Sequence, residues 1–346
     1  MWGTLGAGRF AKRGGAVFGE GGRYNSIDDF RGLAVFLMFN ANFVVVFAAD
    51  PPLLVNHARP EGFLPLDLVA PLFGFAIGLC LPLTLARARA RTGGAGDGER
   101  VLSRVARRAA LLFLIGYVPD FWYGYAAAAS LWENAARTWG ILETWALAYV
   151  LAFLLCHLRL DLRLVAALAL ALFYQLFLLP LPAVAEAVRS LVEGGPAAVL
   201  SWSVIIVAGT ICGELLYRAP RQVFLEWGLR MGLVLTSLGL LVHFLVAPLD
   251  RILVTASYTL FGAGVAALVF VWFEFRRPAW GAFFRRAGQY PLTAWVLQAL
   301  VYGPVVLTVG FGHFAWPLAG LMALAAAVAL LVLTPVAQRA GLRLKV

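Results

Sequence analysis

The chain has 346 residues, of which 62% are hydrophobic and only 13% charged, with a mean hydropathy of +0.84. A water-soluble domain carries about 25% charged residues, so a soluble globular fold is excluded and lipid is the expected solvent. The formal net charge of +10 would suit nucleic acid, but the basic residues collect in alternate connections, as membrane topology requires, and no nucleic-acid partner is expected.

In chain order, residues 1–22 are Gly-rich and basic and lack the apolar core of a cleavable signal, so they read as a cytoplasmic segment ahead of one membrane domain over 23–346. Crossing roughly 30 Å of hydrocarbon takes about 20 apolar residues. Ten stretches meet that need: 31–49, 66–86, 105–122, 139–157, 163–181, 198–217, 226–247, 253–273, 290–310 and 317–337. The expectation is an all-α, polytopic integral membrane protein with about ten transmembrane helices. Between two of them, AVAEAVRSLVEGG (183–195) is too polar to span and reads as an interfacial amphipathic helix. Cys80, Cys156 and Cys212 sit far apart in apolar runs, as core residues rather than disulfide partners, and no metal site is expected.

Arginine placement orients the chain. With the amino terminus in the cytoplasm, all but four of the 28 Lys and Arg fall on the inner side, and only Arg59, Arg137, Arg189 and Arg251 lie outside. Both termini are then cytoplasmic, and the connection NHARPEGFLPLDLVAP, with His57 and Asp67, faces outward. Asn42 lies eleven residues beyond Arg31 in the first stretch, which at 1.5 Å per residue is roughly 16 Å, about half-way across. An amide at that depth belongs against other helices. Asp67 follows Pro65 in the first turn of the second stretch, and Pro51, Pro52, Pro60 and Pro65 stiffen the connection.

Each residue has a plain reading. Asp67 suits a helix N-terminus, Asn42 can tie two helices together, and a loop histidine is usually a solvated side chain. Taken together they form a catalytic set. Histidine exchanges protons, or carries an acyl group, near neutral pH; a carboxylate orients it; an amide donates to an oxyanion.

The stretch Ser26-Ile27-Asp28-Asp29-Phe30-Arg31-Gly32 resembles the S-[LIV]-D-x-F-R-G opening of the heparan-α-glucosaminide N-acetyltransferase family, with Asn42 where that family's helix asparagine falls. The next block, H-A-x-x-x-G-x-x-x-x-D-L-V-x-P, is met by His57, Ala58, Gly62, Asp67, Leu68, Val69 and Pro71. GILETWALAYVLAFLL is similar to the family's G-x-L-Q-R-x-x-x-x-Y helix, with Glu143 for its glutamine. APLDRILVTASYTLFGAG, which holds Ser257, and GQYPLTAWVLQALV, which holds Gln298, extend the likeness to about residue 310. The resemblance implies transfer of an acetyl group from cytoplasmic acetyl-CoA to an amino sugar or glycan beyond the membrane. It makes His57 the catalytic residue, with Asp67 and Asn42 beside it. It further implies a compact bacterial-type member in the cytoplasmic (inner) membrane. Three departures bear on the acceptor: a longer connection before His57, Pro60-Glu61 for a usual Trp-Asn, and Gln298 where some members carry histidine.

CoA phosphates favour arginine, and two inner clusters qualify: Arg104, Arg107 and Arg108, and Arg276, Arg277, Arg285 and Arg286. Topology or anionic membrane lipid explains such clusters equally well. Asp28, Arg31, Ser257, Gln298 and His313 are further substrate-side candidates, although Asp28 and Arg31 can simply ion-pair along one helix face. His157 and His243 read as packing residues, and Glu143 and Glu214 as intramembrane acids. Ten spans with buried acids also suit a transporter, but no pair of broken helices in two halves marks a midplane site. The departures leave room for a non-catalytic subunit of a membrane complex, or a homodimer.

Overall fold

The computed structural model describes residues 18–19, 23–55, 62–92, 97–125, 130–308, 310–342 and 344. A two-stranded antiparallel ribbon, β1 (Phe18–Gly19) with β2 (Arg23–Tyr24), leads into a bundle of helices. In order these are α1 (Asn25–Phe47), α2 (Val69–Thr92), α3 (Asp97–Tyr125), α4 (Leu131–Arg137), α5 (Ile141–Leu155) and α6 (Leu160–Phe173). They continue as α7 (Pro182–Ser190), α8 (Gly195–Arg218), α9 (Arg221–Leu245), α10 (Ala256–Arg276), α11 (Gly281–Gln289), α12 (Pro291–Thr308) and α13 (Leu318–Arg339).

Among the described residues seven helices are long and apolar enough to cross a membrane: α1, α2 with the 3₁₀ turn before it, α6 with its π turn, α8, α9, α10 and α13. Two shorter apolar helices, within α5 and α12, cover two more of the expected stretches. The stretch 105–122 falls inside α3, whose amino-terminal half carries Arg100, Arg104, Arg107 and Arg108. The polar segment near 183–195 forms the short helix α7 and a following turn.

Helices α2, α8 and α10 are buried over most of their length, while α6, α9 and α13 keep a broad exposed face. That face is apolar, with Leu162, Val165, Leu233, Val234, Phe244, Leu321 and Val332 all exposed. Water would not tolerate it; lipid does, because along their length the helices satisfy their own backbone groups. The protein is an integral membrane protein.

Between apolar helices in lipid, close approach replaces the hydrophobic effect as the source of association. Gly78 of α2 and Gly209 of α8 meet so closely that a Cβ on either would sit within 2.3 Å of the other helix's backbone. On the far side of α10, Gly264 packs against the backbone of Thr236 in α9. The third such contact joins α1 to α11: a Cβ on Gly288 would lie 1.8 Å from the Asp28 carbonyl oxygen, and one on Gly32 would lie 2.0 Å from that of Phe284. Arg285 of α11 closes this joint with two hydrogen bonds, 2.7 and 3.0 Å, to the Asp29 carboxylate. Those bonds hold the Arg285 guanidinium above its ordinary pKa.

One deeply buried guanidinium is paired across helices. Arg163 is buried and donates to Glu214 at 2.9 Å, to Thr210 and to the carbonyls of Cys156 and Leu158. It thereby ties α6 to α8 and satisfies the end of α5, where free carbonyls need donors.

Candidate active site

The bundle has two ends, a proximal one where α1 begins and a distal one where it ends. Polar side chains collect at both.

The distal centre is built on the start of α2. Pro65 opens a 3₁₀ turn, and the Leu64 N–H donates to Asp67 Oδ2 at 2.7 Å, so the carboxylate caps the helix it begins. Capping is only part of its environment. The Asp67 side chain is fully buried, and Arg251 Nε lies 3.6 Å from its Oδ1. Arg251 also donates to Glu193 Oε1 at 2.6 Å, and the Tyr258 hydroxyl donates to the Asp67 carbonyl at 2.7 Å. Burial would weaken the hold of Arg251 on its proton; the carboxylates of Glu193 and Asp67 outweigh that and keep its pKa above the ordinary value. The guanidinium is a fixed positive charge between two carboxylates.

The same segment grips the chain just after the candidate histidine. Gly62 donates to Asp250 Oδ2 and accepts from the Arg251 N–H, both at 3.0 Å. Gly62 stands at φ 111°, a conformation that favours glycine. His57 lies outside the described residues, as do Arg59, Pro60 and Glu61.

Asn42 is half-buried in the last third of α1, near the distal end. The connection that holds His313 is stitched onto that end: Gly312 donates to Val46 O, Phe314 to Phe47 O, and Ala49 to Phe314 O. His313 itself is exposed at this mouth. Ser257 is buried beneath the 248–255 loop, hydrogen-bonded to Pro248 O and Thr255, so it braces the loop that carries Arg251. Gln298 is buried in α12 with no partner for Oε1 among the described residues.

The proximal end holds a cavity of about 230 Å³. Asp28 and Arg31 of α1, Cys80 and Thr84 of α2, Arg108 of α3 and Tyr149 of α5 supply its polar lining. Arg31 lies 3.7 Å from Asp28 and 3.6 Å from Cys80 Sγ, and Arg108 donates to Thr84 at 3.2 Å. The Tyr149 hydroxyl is buried beside Arg108. Along α2 the wall runs from Thr84 to Phe73, roughly 16 Å of helix, toward the distal end.

The sequence candidates therefore divide between the two ends. Asn42, Asp67, Ser257 and His313 belong to the distal end; Asp28, Arg31 and Arg108 line the proximal cavity. Arg104 turns back to the Arg100 carbonyl and Arg107 is exposed. In the second cluster Arg285 is bound to Asp29, Arg277 to Glu274, Arg286 is exposed, and Arg276 lines a separate open groove with Trp272 and Trp280. Glu143 accepts from Gly140 N at 3.2 Å and Glu214 pairs with Arg163. His243 accepts from Leu249 N at 2.7 Å as the brace of a turn, and His157 is exposed. Sequence reasoning did not single out Arg251, Glu193 or Tyr258. The available signal was Arg251 itself, one of the four basic residues that the arginine pattern leaves on the expected outer side.

A comparison with protein families matches residues 23–248 to the family described as heparan-alpha-glucosaminide N-acetyltransferase, catalytic. That span is well over half of the chain. The chain belongs to this family. No curated protein matches it. The heparan-alpha-glucosaminide N-acetyltransferase match includes Asn42, Asp67, Glu193 and most of the cavity wall, while Arg251, Tyr258, Gln298 and His313 follow its end. Membership implies a membrane-embedded acyltransferase.

Proposed function

We propose that the protein moves an acetyl group from acetyl-CoA, bound from the cytoplasm at the proximal cavity, to an amino sugar or glycan that reaches the distal centre from the other side. In this reading the chain crosses the membrane ten times with both termini inside the cell, and the membrane is a bacterial cytoplasmic membrane. The observation that carries it is the separation of roles along α1 and α2. A cavity with two guanidiniums lies at one end and a buried carboxylate–guanidinium centre at the other, with Asn42 on the last third of α1 toward the second.

Arg31 and Arg108 offer charge-assisted donors to the CoA phosphates, and Thr84 and Tyr149 offer hydroxyls to the polar arm. The thioester reaches outward to Asn42, whose amide donates to the carbonyl oxygen as charge develops there. His57 accepts the proton of the attacking amine, or the acyl group itself, and the CoA thiolate leaves. The Asp67 carboxylate stabilises the imidazolium. Neither substrate crosses the membrane whole.

Cys80 supplies a direct test of the donor cavity, because its sulfur is part of the wall. In a Cys156→Ala background a maleimide should label Cys80, and acetyl-CoA should slow that labelling. Replacing Arg108 by alanine should raise the acetyl-CoA KM about tenfold, the worth of one charge-assisted hydrogen bond, with little change in kcat. Labelling that ignores acetyl-CoA, together with an unchanged KM, would remove the donor from this cavity.

A further inference from the structure

We infer that the groove where α10 ends and α11 begins holds the headgroup of an anionic phospholipid. The phosphate lies on Arg276 and Arg286, and the glycerol and upper chains lie against Trp272 and Phe275. The inference is independent of the acyl-transfer reading.

Three observations carry it. The first is which arginines are already bound. Arg277 and Arg221 both pair with the buried Glu274 carboxylate, and Arg221 also donates to the carbonyls of Glu274 and Phe275, at 2.8 and 3.0 Å. Those carbonyls end a helix and lack helical partners. Arg285 is bound to Asp29. Arg276 and Arg286 are exposed, and their side chains have no hydrogen-bond or ion-pair partner among the described residues. Two guanidiniums are therefore left over beside acids that other cations already match.

The second is the order of groups along the helix. From Tyr258, which donates to Asp67 O, α10 runs to Phe273, which packs on Phe30 near the start of α1, so it ends at the proximal end. Trp272, Phe275 and Arg276 stand three and four residues apart on one face, and all three are exposed. The rings come first and the cation last, over roughly 6 Å of helix. A membrane presents chains, glycerol and phosphate in that order; a free anion in water has no use for the rings. Helix α11 repeats the pairing with exposed Phe283 and Arg286, while Gly281, Ala287 and Gly288 pack inward, as in a helix lying at a membrane interface.

The third is that the groove is already formed, with a volume of about 390 Å³. Trp280 is held by Phe273 and Phe284, with ring centroids 5.4 and 5.9 Å away, and lies 5.9 Å from Trp272 at 31°. Two indoles fixed in this way suit the headgroup layer, where tryptophan settles. Because Glu274 and Asp29 are bound to arginine, a choline or ethanolamine group meets no open carboxylate from either, whereas a net negative phosphate meets two cations.

The experiment titrates delipidated full-length protein in detergent with phosphatidylglycerol and with phosphatidylcholine, counting bound lipid by native mass spectrometry. Phosphatidylglycerol should bind more tightly, and Arg276→Gln and Arg286→Gln should each weaken it about fivefold, the contribution of one arginine at an anionic surface. Neither change removes a bond from the fold, so both variants should unfold at the parent's temperature. Arg339→Gln removes an exposed arginine at the same end, where Leu342 meets Thr293, but outside the groove, and should leave binding unchanged. That pattern supports the inference. Equal binding of the two lipids, equal loss in all three variants, or no loss in the first two overturns it. Full competition by soluble glycerol 3-phosphate at matching concentration also overturns it, by making the groove a site for a free anion.

Discussion

Substituting alanine for His57 is expected to lower acetyl transfer by about a hundred- to ten-thousand-fold, the usual contribution of a positioned proton acceptor. Acetyl-CoA binding should survive, because the cavity lined by Arg31, Arg108 and Tyr149 lies at the end of the bundle away from Asp67. The two effects must therefore separate: turnover lost, protection of Cys80 by acetyl-CoA kept. A variant that loses both would mean that His57 maintains the fold or the donor site rather than the reaction. Single-turnover transfer and Cys80 labelling on the same preparation check the prediction.

The second large effect belongs to the joint between α1 and α11. A valine at Gly288 would push its side chain into the backbone of α1, where even a Cβ has only 1.8 Å to the Asp28 carbonyl oxygen and 2.6 Å to the Gly32 amide. Backbone cannot rotate away as a flexible side chain can. The two helices must part, and the loss should reach or exceed the roughly 1–3 kcal/mol typical of overpacking. Separation also moves Asp28 away from Gln289 and Pro291, its neighbours in the cavity wall. Thermal unfolding in detergent should therefore begin at a lower temperature for Gly288→Val, and acetyl-CoA should restore less of the lost stability than it adds to the parent protein. Arg285→Ala removes the Asp29 ion pair without the steric conflict. It is expected to fall between the two, because a partly exposed pair contributes less than a close backbone contact.

Much of this architecture can be read from the chain because its signals are local. Apolar runs bounded by arginine locate the long helices, and Pro65 followed by Asp67 marks the start of α2 in three residues. Where the signal mixes, the reading blurs. The stretch 105–122 gives no boundary because α3 begins eight residues earlier, in charged sequence, at Asp97.

The distal centre shows the other limit. Asp67 was legible as a helix cap and as a catalytic candidate, but its partner Arg251 is far away in sequence, and no periodicity connects them. Glu193 was hidden more thoroughly. Its neighbours read as an interfacial amphipathic segment, and only the run of three positive φ angles reveals a turn that delivers a carboxylate inward. The proximal cavity was missed for a related reason. Arginine clusters can be counted in the sequence, but which members turn inward depends on helix rotation. Arg108 reaches Thr84 across the gap between α2 and α3, while Arg107, one residue earlier, points away and is exposed.

The central claim is transfer across the membrane between two ends of one bundle. Its most direct test is a proteoliposome with labelled acetyl-CoA supplied on the side of the amino terminus and glucosamine on the other. Acetylated sugar appearing only on the far side, and only with protein whose His57 is intact, is the result the account predicts. Product forming on the same side as acetyl-CoA, or in equal amount with His57→Ala, would contradict it.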